Sequence, residues 1–548
     1  MTLRNLTCIF LLCFILVNLS GQERPPATAS EIPYLYNKDH PISRMRFKVL
    51  SSKVRDNSML THSFSDEIKK FGGKKYILLK PLILELDIPT LQQLIKNGKL
   101  TYTDLVMFYI YRIHLYESNP DSALNAIISL NPEALNQAKI CDREKRKNKK
   151  RHPIYGMPIL LKDNIGFSGI PTTAGAEVLM SNTANDAFIV KKMKEKGAII
   201  LGKTNLSEWA YYFCNGCPVG YSAVGGQSLN PYGKMIFETG GSSSGSGIAV
   251  AANYAVAAVG TETSGSILSP SSMNSVTGLK PTVGLLSRSG IVPISSTLDT
   301  PGPMTKNVTD NAILLDAMTG YDGSDQASDI NSGKIIYQKK LTKLPMKGKR
   351  IGIFKNLMEL PNYAQISDIL KEQGAIVIEM DSKSPDLPGF RSILSIDMKY
   401  DLPSYLATYA SDNIKVKDIK DIIAYNNQNI AVRAPYGQGL FEGIYTDTTS
   451  DVSIKTIKND LEKIAKSFFN DMIKKDNLDI ILSVNNMHAG IAAAAKFPCL
   501  TLPMGYKETG EPQGITLILP SGNEDHLYPL AFTIESITHF RKIPEKYN

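Results

Sequence analysis

Residues 239–280 read TGGSSSGSGIAVAANYAVAAVGTETSGSILSPSSMNSVTGLK. Two Gly/Ser loops, Thr239–Gly247 and Gly260–Ser266, flank a run of small apolar residues, Ile248–Ala258. The run reads as a helix made mostly of Ala and Val, whose short side chains let neighbouring backbone come close. Glycines on either side open backbone angles that other residues avoid. Serine hydroxyls and free amides from two loops can therefore meet at one buried helix. A flexible linker does not enclose such a helix. A phosphate cradle needs G-x-x-x-x-G-K-[ST], and the first loop carries no lysine. The remaining reading is a serine nucleophile beside a backbone oxyanion hole.

That reading forks. Gly241-Ser-Ser-Ser-Gly245 matches the G-x-S-x-G elbow of α/β-hydrolases, with Ser243 as nucleophile, Met235–Glu238 as its strand and His488, His526 or His539 as base. This leaves the second loop without a role. Lys162 offers another base, because it ends the apolar run Gly156–Leu161. A lysine at a strand end is ordinarily an exposed charge. Turned inward without a carboxylate partner, it loses its preference for the charged form, and a fall from ~10.4 to ~7–8 makes it a base near neutral pH. That shift costs ~3–4 kcal/mol.

Outward from this region, strands alternate with helices. Leu124–Leu130 reads as a strand, 132–147 as a helix and Gly156–Leu161 as a strand. Asp186 is expected to cap a helix to Lys196, which Gly197 stops before the strand Ala198–Leu201. Thr103–Glu117 has helical spacing with Thr103 as the expected N-cap, and His114 on it reads as a packed helix residue. The alternation returns in a helix to Gln373 with the strand Ala375–Glu379, and in a helix to Lys475 with the strand Leu478–Val484. The pattern implies an α/β layered fold with a largely internal sheet. The polar stretch 321–350 is either a domain linker or a surface connection.

Composition agrees with a globular chain: of 548 residues 43% are hydrophobic and 21% charged. The net charge of +9 is small for this length, and the one dense basic run, REKRKNKKR at 143–151, has no interleaved aromatic residue. It reads as a solvated helix end, with no nucleic-acid partner implied. At the start, Arg4 precedes ten apolar residues, Cys8–Val17. A bilayer span needs about 20, so residues 1–21 read as a secretory signal and the chain as exported, periplasmic or secreted, without stable membrane insertion. Residues 22–84 are a polar lead-in or wrapping arm, and 85–548 the main domain. Cys214 and Cys217 form a C-x-x-C pair with no further ligands at zinc spacing. They read as a small disulfide in an oxidising compartment or as unpaired thiols, and no metal is expected.

Taken together, Gly156-Met-Pro-Ile-Leu-Leu-Lys162-Asp-Asn-Ile, Gly240-Gly-Ser-Ser-Ser-Gly-Ser-Gly, Gly260-Thr-Glu-Thr-Ser-Gly-Ser266-Ile and Gly278-Leu-Lys-Pro-Thr-Val-Gly284 resemble the amidase signature family of serine hydrolases, its bacterial peptide amidase branch above all. Gly202-Lys-Thr-Asn-Leu-Ser-Glu-Trp209, Ser296-Thr-Leu-Asp-Thr-Pro-Gly-Pro303 and Phe497-Pro-Cys-Leu-Thr-Leu-Pro503 extend the likeness over roughly 85–545. The resemblance implies a large, mainly mixed β-sheet covered by helices on both faces. It implies Ser266 as nucleophile, Lys162 as general base and Ser242 as the bridging serine after a cis Gly241–Ser242 peptide. Backbone amides of Thr263, Ser264, Gly265 and Ser266 fall where the family builds its oxyanion hole. No cofactor is implied. The expected reaction hydrolyses a carboxylic amide to acid and ammonia through an acyl-serine, with a small-molecule, amino-acid or short peptide amide as substrate. Three positions depart from the common pattern: Leu268 where many members carry Arg, Glu262 in place of Asp, and Ser264 in place of Gly. The export signal and lead-in argue against the branch that releases ammonia from glutamine for charged tRNA.

Overall fold

Among the described residues thirteen strands, in chain order, carry the architecture: β1 (Ile127–Leu130), β2 (Pro158–Lys162), β3 (Ile199–Thr204), β4 (Tyr221–Ser222), β5 (Gly226–Gln227), β6 (Ala257–Glu262), β7 (Thr277–Lys280), β8 (Thr300–Thr305), β9 (Arg350–Phe354), β10 (Ile376–Met380), β11 (Ile480–Val484), β12 (Cys499–Tyr506) and β13 (Pro512–Ile518). This computed structural model describes residues 35–144, 150–381 and 383–548. The signal reading at 1–21 and most of the basic run lie outside the described residues. Eleven strands form one mixed sheet in the order β1-β3-β2-β6-β8-β7-β12-β13-β11-β9-β10, flanked by helices, and β4 and β5 pair by themselves. Parallel pairing joins β2 to β3 and β6 near one end, and β9 to β10 and β11 at the other. From β6 through β8, β7, β12 and β13 to β11 each successive pair is antiparallel. Every residue of β2, β3 and β6 is buried, as in parallel strands covered on both faces, and their charged and hydroxyl residues stand only at the carboxyl ends.

Several element ends differ from the sequence reading. The helix Tyr102–Glu117 is capped by Thr101, whose side chain accepts the Asp104 N–H; Thr103 lies inside the first turn. Asp186 does not cap the helix Phe188–Glu195 but accepts the Ser168 amide and hydroxyl, each at 2.9 Å. The small-residue run is a helix only from Ser244 to Ala251. Asn253 takes a left-handed φ of 56°, the chain turns, and Ala257 and Ala258 enter β6. The serines and glycines at 244–247 are thus the first helical turn, not loop.

Residues 35–84 contribute Phe47, Phe64, Phe71 and Tyr76 to the same hydrophobic core as the sheet. The helix Ser65–Leu79 seats Tyr76 on Phe108, with ring centroids 4.9 Å apart, and the Tyr76 hydroxyl accepts from buried Arg112 at 2.5 Å. The stretch 321–350 stays tied to the body: Tyr337 donates its amide to Asp316, and Asp325 pairs with Arg288. Among the described residues no helix is long and apolar enough to cross a membrane.

Candidate active site

The site forms at the carboxyl ends of the parallel neighbours β2 and β6, where open α/β sheets commonly bind ligands. Register pairs Leu161 with Val259, which sets Lys162, the last residue of β2, beside Gly260 and Thr261 near the end of β6. Lys162 has no exposed surface. Its Nζ lies 2.7 Å from Ser242 Oγ, 2.9 Å from Thr261 Oγ1 and 3.1 Å from the Thr261 carbonyl oxygen. All three partners are neutral. Burial pushes the amine down to about 7, against a weaker opposing pull from Asp299 and Glu262.

Ser242 precedes the helix Ser244–Ala251, follows a cis peptide from Gly241, and is fully buried. Its carbonyl accepts the Ser207 amide at 3.0 Å. The adjacent Ser243 staples the two loops. Its hydroxyl donates to the Thr261 carbonyl at 3.1 Å and accepts the Thr261 amide at 3.2 Å, while its own N–H reaches the Ser266 carbonyl at 3.1 Å. Close approach here requires glycine: a Cβ on Gly245 would lie 2.5 Å from the carbonyl oxygens of Ala126 and Asn205.

Ser266 sits in the loop between β6 and the helix Leu268–Met273 and, with Ser264, keeps partial exposure. The site is therefore sealed at the lysine and open at this serine. Gly265 between them takes a φ of 86°, the left-handed region that favours glycine. The loop is braced by Glu262, whose Oε2 accepts the amides of Ile267 at 2.7 Å and Leu268 at 3.0 Å, and the Gly265 amide also bears on this carboxylate. On the other side the Thr263 hydroxyl donates to Asp299 at 2.5 Å. Glu262 supplies this reach from the end of β6, and the Leu268 side chain beside it is fully buried.

The elbow reading of Ser243 does not fit this arrangement. Its hydroxyl is committed to the Thr261 backbone, and Met235–Glu238 forms no strand. His488 is held by Ser483 at 2.6 Å and stacks on Phe354, His526 lies beside Asp525 on the surface, and His539 ends a helix. His114 bonds Thr61. Cys214 and Cys217 are bridged, and Cys141 and Cys499 are free and buried. Among the described residues no group of three or more His, Cys, Asp or Glu is placed to hold a metal ion. Sequence reasoning missed Thr261 and Asn164 as partners in the lysine's surroundings. Both lie inside quoted motifs, and the signal was their position one and two residues from a strand end that also carries Lys162 or Glu262.

A large mixed sheet that gathers two serine loops on a buried lysine defines an amidase-type serine hydrolase fold. The chain matches the Amidase family over residues 104–483 and belongs to it. A probable amidase of Arabidopsis thaliana is 36% identical over 481 residues, 84% of this chain and 92% of that protein. An amidase family protein from Bacillus anthracis superposes with a TM-score of 0.85 at 34% identity, over 90% of this chain and 99% of the other. The native peptide amidase of Stenotrophomonas maltophilia gives 0.79 at 34%, over 84% and 99%. The protein is an amidase, a hydrolase of C–N bonds in amides.

Proposed function

We propose that Lys162, Ser242 and Ser266 form the catalytic relay of this amidase and that its substrate is a peptide or amino-acid amide. The observation that carries the reading is the 2.7 Å contact between Lys162 Nζ and Ser242 Oγ in a pocket where the amine has no carboxylate partner. A neutral amine has two N–H donors and one lone pair. The Thr261 carbonyl and hydroxyl oxygens take the two donors, which leaves the lone pair to the Ser242 hydroxyl. Ser242 can then give its proton to Lys162 while accepting one from Ser266. Ser266 Oγ attacks the amide carbonyl carbon, and the C=O π pair moves to oxygen. Of the amides of Thr263, Ser264, Gly265 and Ser266, that of Gly265 is drawn to Glu262 and the other three are the donors we assign to that oxyanion, an interaction worth several kcal/mol when fixed in place. On collapse the C–N bond breaks and the proton held at Lys162 returns through Ser242 to the nitrogen, so ammonia leaves neutral. Water then adds to the acyl-Ser266 ester by the same relay, releasing acid and the free serine.

We also infer export. Arg4, the ten-residue apolar run and the small residues before Gln22 support it, as does a bridged Cys214–Cys217 pair, which suits an oxidising compartment. One experiment addresses both readings. Protein recovered outside the cytoplasm is treated with a fluorophosphonate, and its intact mass and peptides are read by mass spectrometry. The expected result is a chain lacking residues 1–21 with one adduct on Ser266; an adduct on Ser243 would overturn the relay, and an uncut chain the export.

A further inference from the structure

A cavity of about 520 Å³ lies against Thr261, Asn164 and Thr263, on the wall that carries the lysine's partners and the start of the Ser266 loop. Its charged lining is Arg288, Asp299, Asp325 and Asp401. Arg288 is committed to Asp325, with Nε 3.0 Å from one carboxylate oxygen and Nη2 2.5 Å from the other. It acts on Asp299 and Asp401 only at longer range. Those two carboxylates are held by neutral donors: Asp401 accepts the Ser296 amide at 2.6 Å, and Asp299 accepts the amides of Ile294 and Ser295 and the Thr263 hydroxyl.

A second observation points the same way. Asn164, 2% exposed, stands in the cavity wall and donates to Thr261 Oγ1 at 3.0 Å and to the Val292 carbonyl at 3.3 Å, while its Oδ1 has no hydrogen-bond partner. Asn164 Oδ1 is thus a buried acceptor left over in a wall that also carries the hydroxyls of Ser289, Ser404 and Thr408. Tyr405 and Tyr409, stacked with centroids 5.8 Å apart, add aromatic surface to the lining. Acceptors carrying two uncompensated negative charges beside aromatic rings fit a donor-rich cation.

We propose that this cavity binds the ammonium group of the substrate, so that the enzyme selects amino-acid or short-peptide amides with a free amine, Asp299 and Asp401 supplying the charge and Asn164 Oδ1 one acceptor. This rests on the amidase reading of the same site. The cavity volume accommodates more than one residue, in the range of small-molecule sites. Burial raises both carboxyls, Asp401 to about 6, and a bound cation favours their charged forms.

The test is ammonia release at pH 7 from leucinamide and from N-acetyl-leucinamide, which differ in the charge of the amine. The full chain should favour leucinamide at least tenfold in kcat/KM, mostly through KM. Asp401→Asn keeps an acceptor for the Ser296 amide and should cut that preference to threefold or less; Asp299→Asn, checked for a native melting curve, should do the same. Equal or better turnover of the acetylated amide, or a preference unmoved in folded variants, overturns the inference and leaves the amidase reading standing. No ammonia from either substrate or from unsubstituted aliphatic amides overturns both.

Discussion

Two lysines on adjacent strands show what burial alone does not decide. Lys162 on β2 and Lys203 on β3 are both fully buried, one register step apart, since Leu161 pairs with Lys203 and Lys162 with Thr204. Burial lowers both amines. Lys203 faces a carboxylate: its Nζ lies 3.1 Å from Asp163, with the Ile165 carbonyl and Thr172 hydroxyl completing three acceptors. Asp163 is in turn bonded by Thr173. Lys162 faces two hydroxyls and a carbonyl. The first arrangement keeps opposite charges together and holds the loop 163–173 onto the sheet; the second leaves an amine able to take a proton. Sequence neighbours one residue apart, Lys162 and Asp163, thus serve opposite ends.

Replacing each lysine by methionine should separate these roles most sharply. Lys162→Met removes the base, and a drop in kcat/KM of about 10³–10⁴ is expected with the melting temperature nearly unchanged. Lys203→Met strands the Asp163 carboxylate in the interior and should cost about 3–5 kcal/mol of stability. Adding Asp163→Asn to it should recover part of that loss, because the stranded charge is gone. Chemical denaturation and ammonia release on the same preparations read both effects. A Lys203→Met protein of native stability would break the comparison, as would a Lys162→Met protein with ordinary turnover.

The pH profile is the next discriminator. Only the neutral amine of Lys162 can accept the relayed proton, so activity is lost as pH falls through its value of about 7. With a neutral amide as substrate, kcat/KM should rise tenfold per pH unit below about 7 and level off above it. Lys203 touches no reacting group and should leave no step in this profile. A profile flat from pH 5 to 9 would show that Lys162 is not the group whose protonation limits the rate.

Much of this site was legible in the chain because its chemistry sits in short, ordered motifs. The two Gly/Ser loops, the strand ending in Lys162 and the glycines that permit close backbone approach are local features. What was not legible depends on which motifs meet. Lys203 lies in Gly202-Lys-Thr-Asn205 and Asp163 in Lys162-Asp-Asn164, and only the parallel pairing of β2 with β3 makes them an ion pair. Asp299 and Asp401 come from segments about a hundred residues apart, so the cavity they line has no linear signature. Helix ends were misplaced for a related reason: Asp186 had a nearby alternative in Ser168, and Thr101 rather than Thr103 stood where the Asp104 amide was free. Ser244, Gly245 and Ser246 have low helix propensity, and complete burial against β6 overrides it.

The smallest expected effect concerns how the serine loop is braced, where the contrast between charged and neutral support recurs. Glu262 ends β6 and reaches forward to the amides of Ile267 and Leu268, so one carboxylate holds both the strand end and the first turn after Ser266. Aspartate at this position is one methylene shorter and would not span the same gap without a second brace. Glu262→Asp should therefore loosen the loop and lower kcat by about tenfold, the value of one charge-assisted hydrogen bond, with KM little changed. Leu268→Arg alone places a guanidinium in a buried apolar position and should be destabilising. Combined, the shorter carboxylate and the new cation can pair, so the double variant should be more active than the product of the two single losses. A double-mutant cycle on kcat measures that coupling, and strict additivity would show that Glu262 acts on its own strand and not on the Ser266 loop.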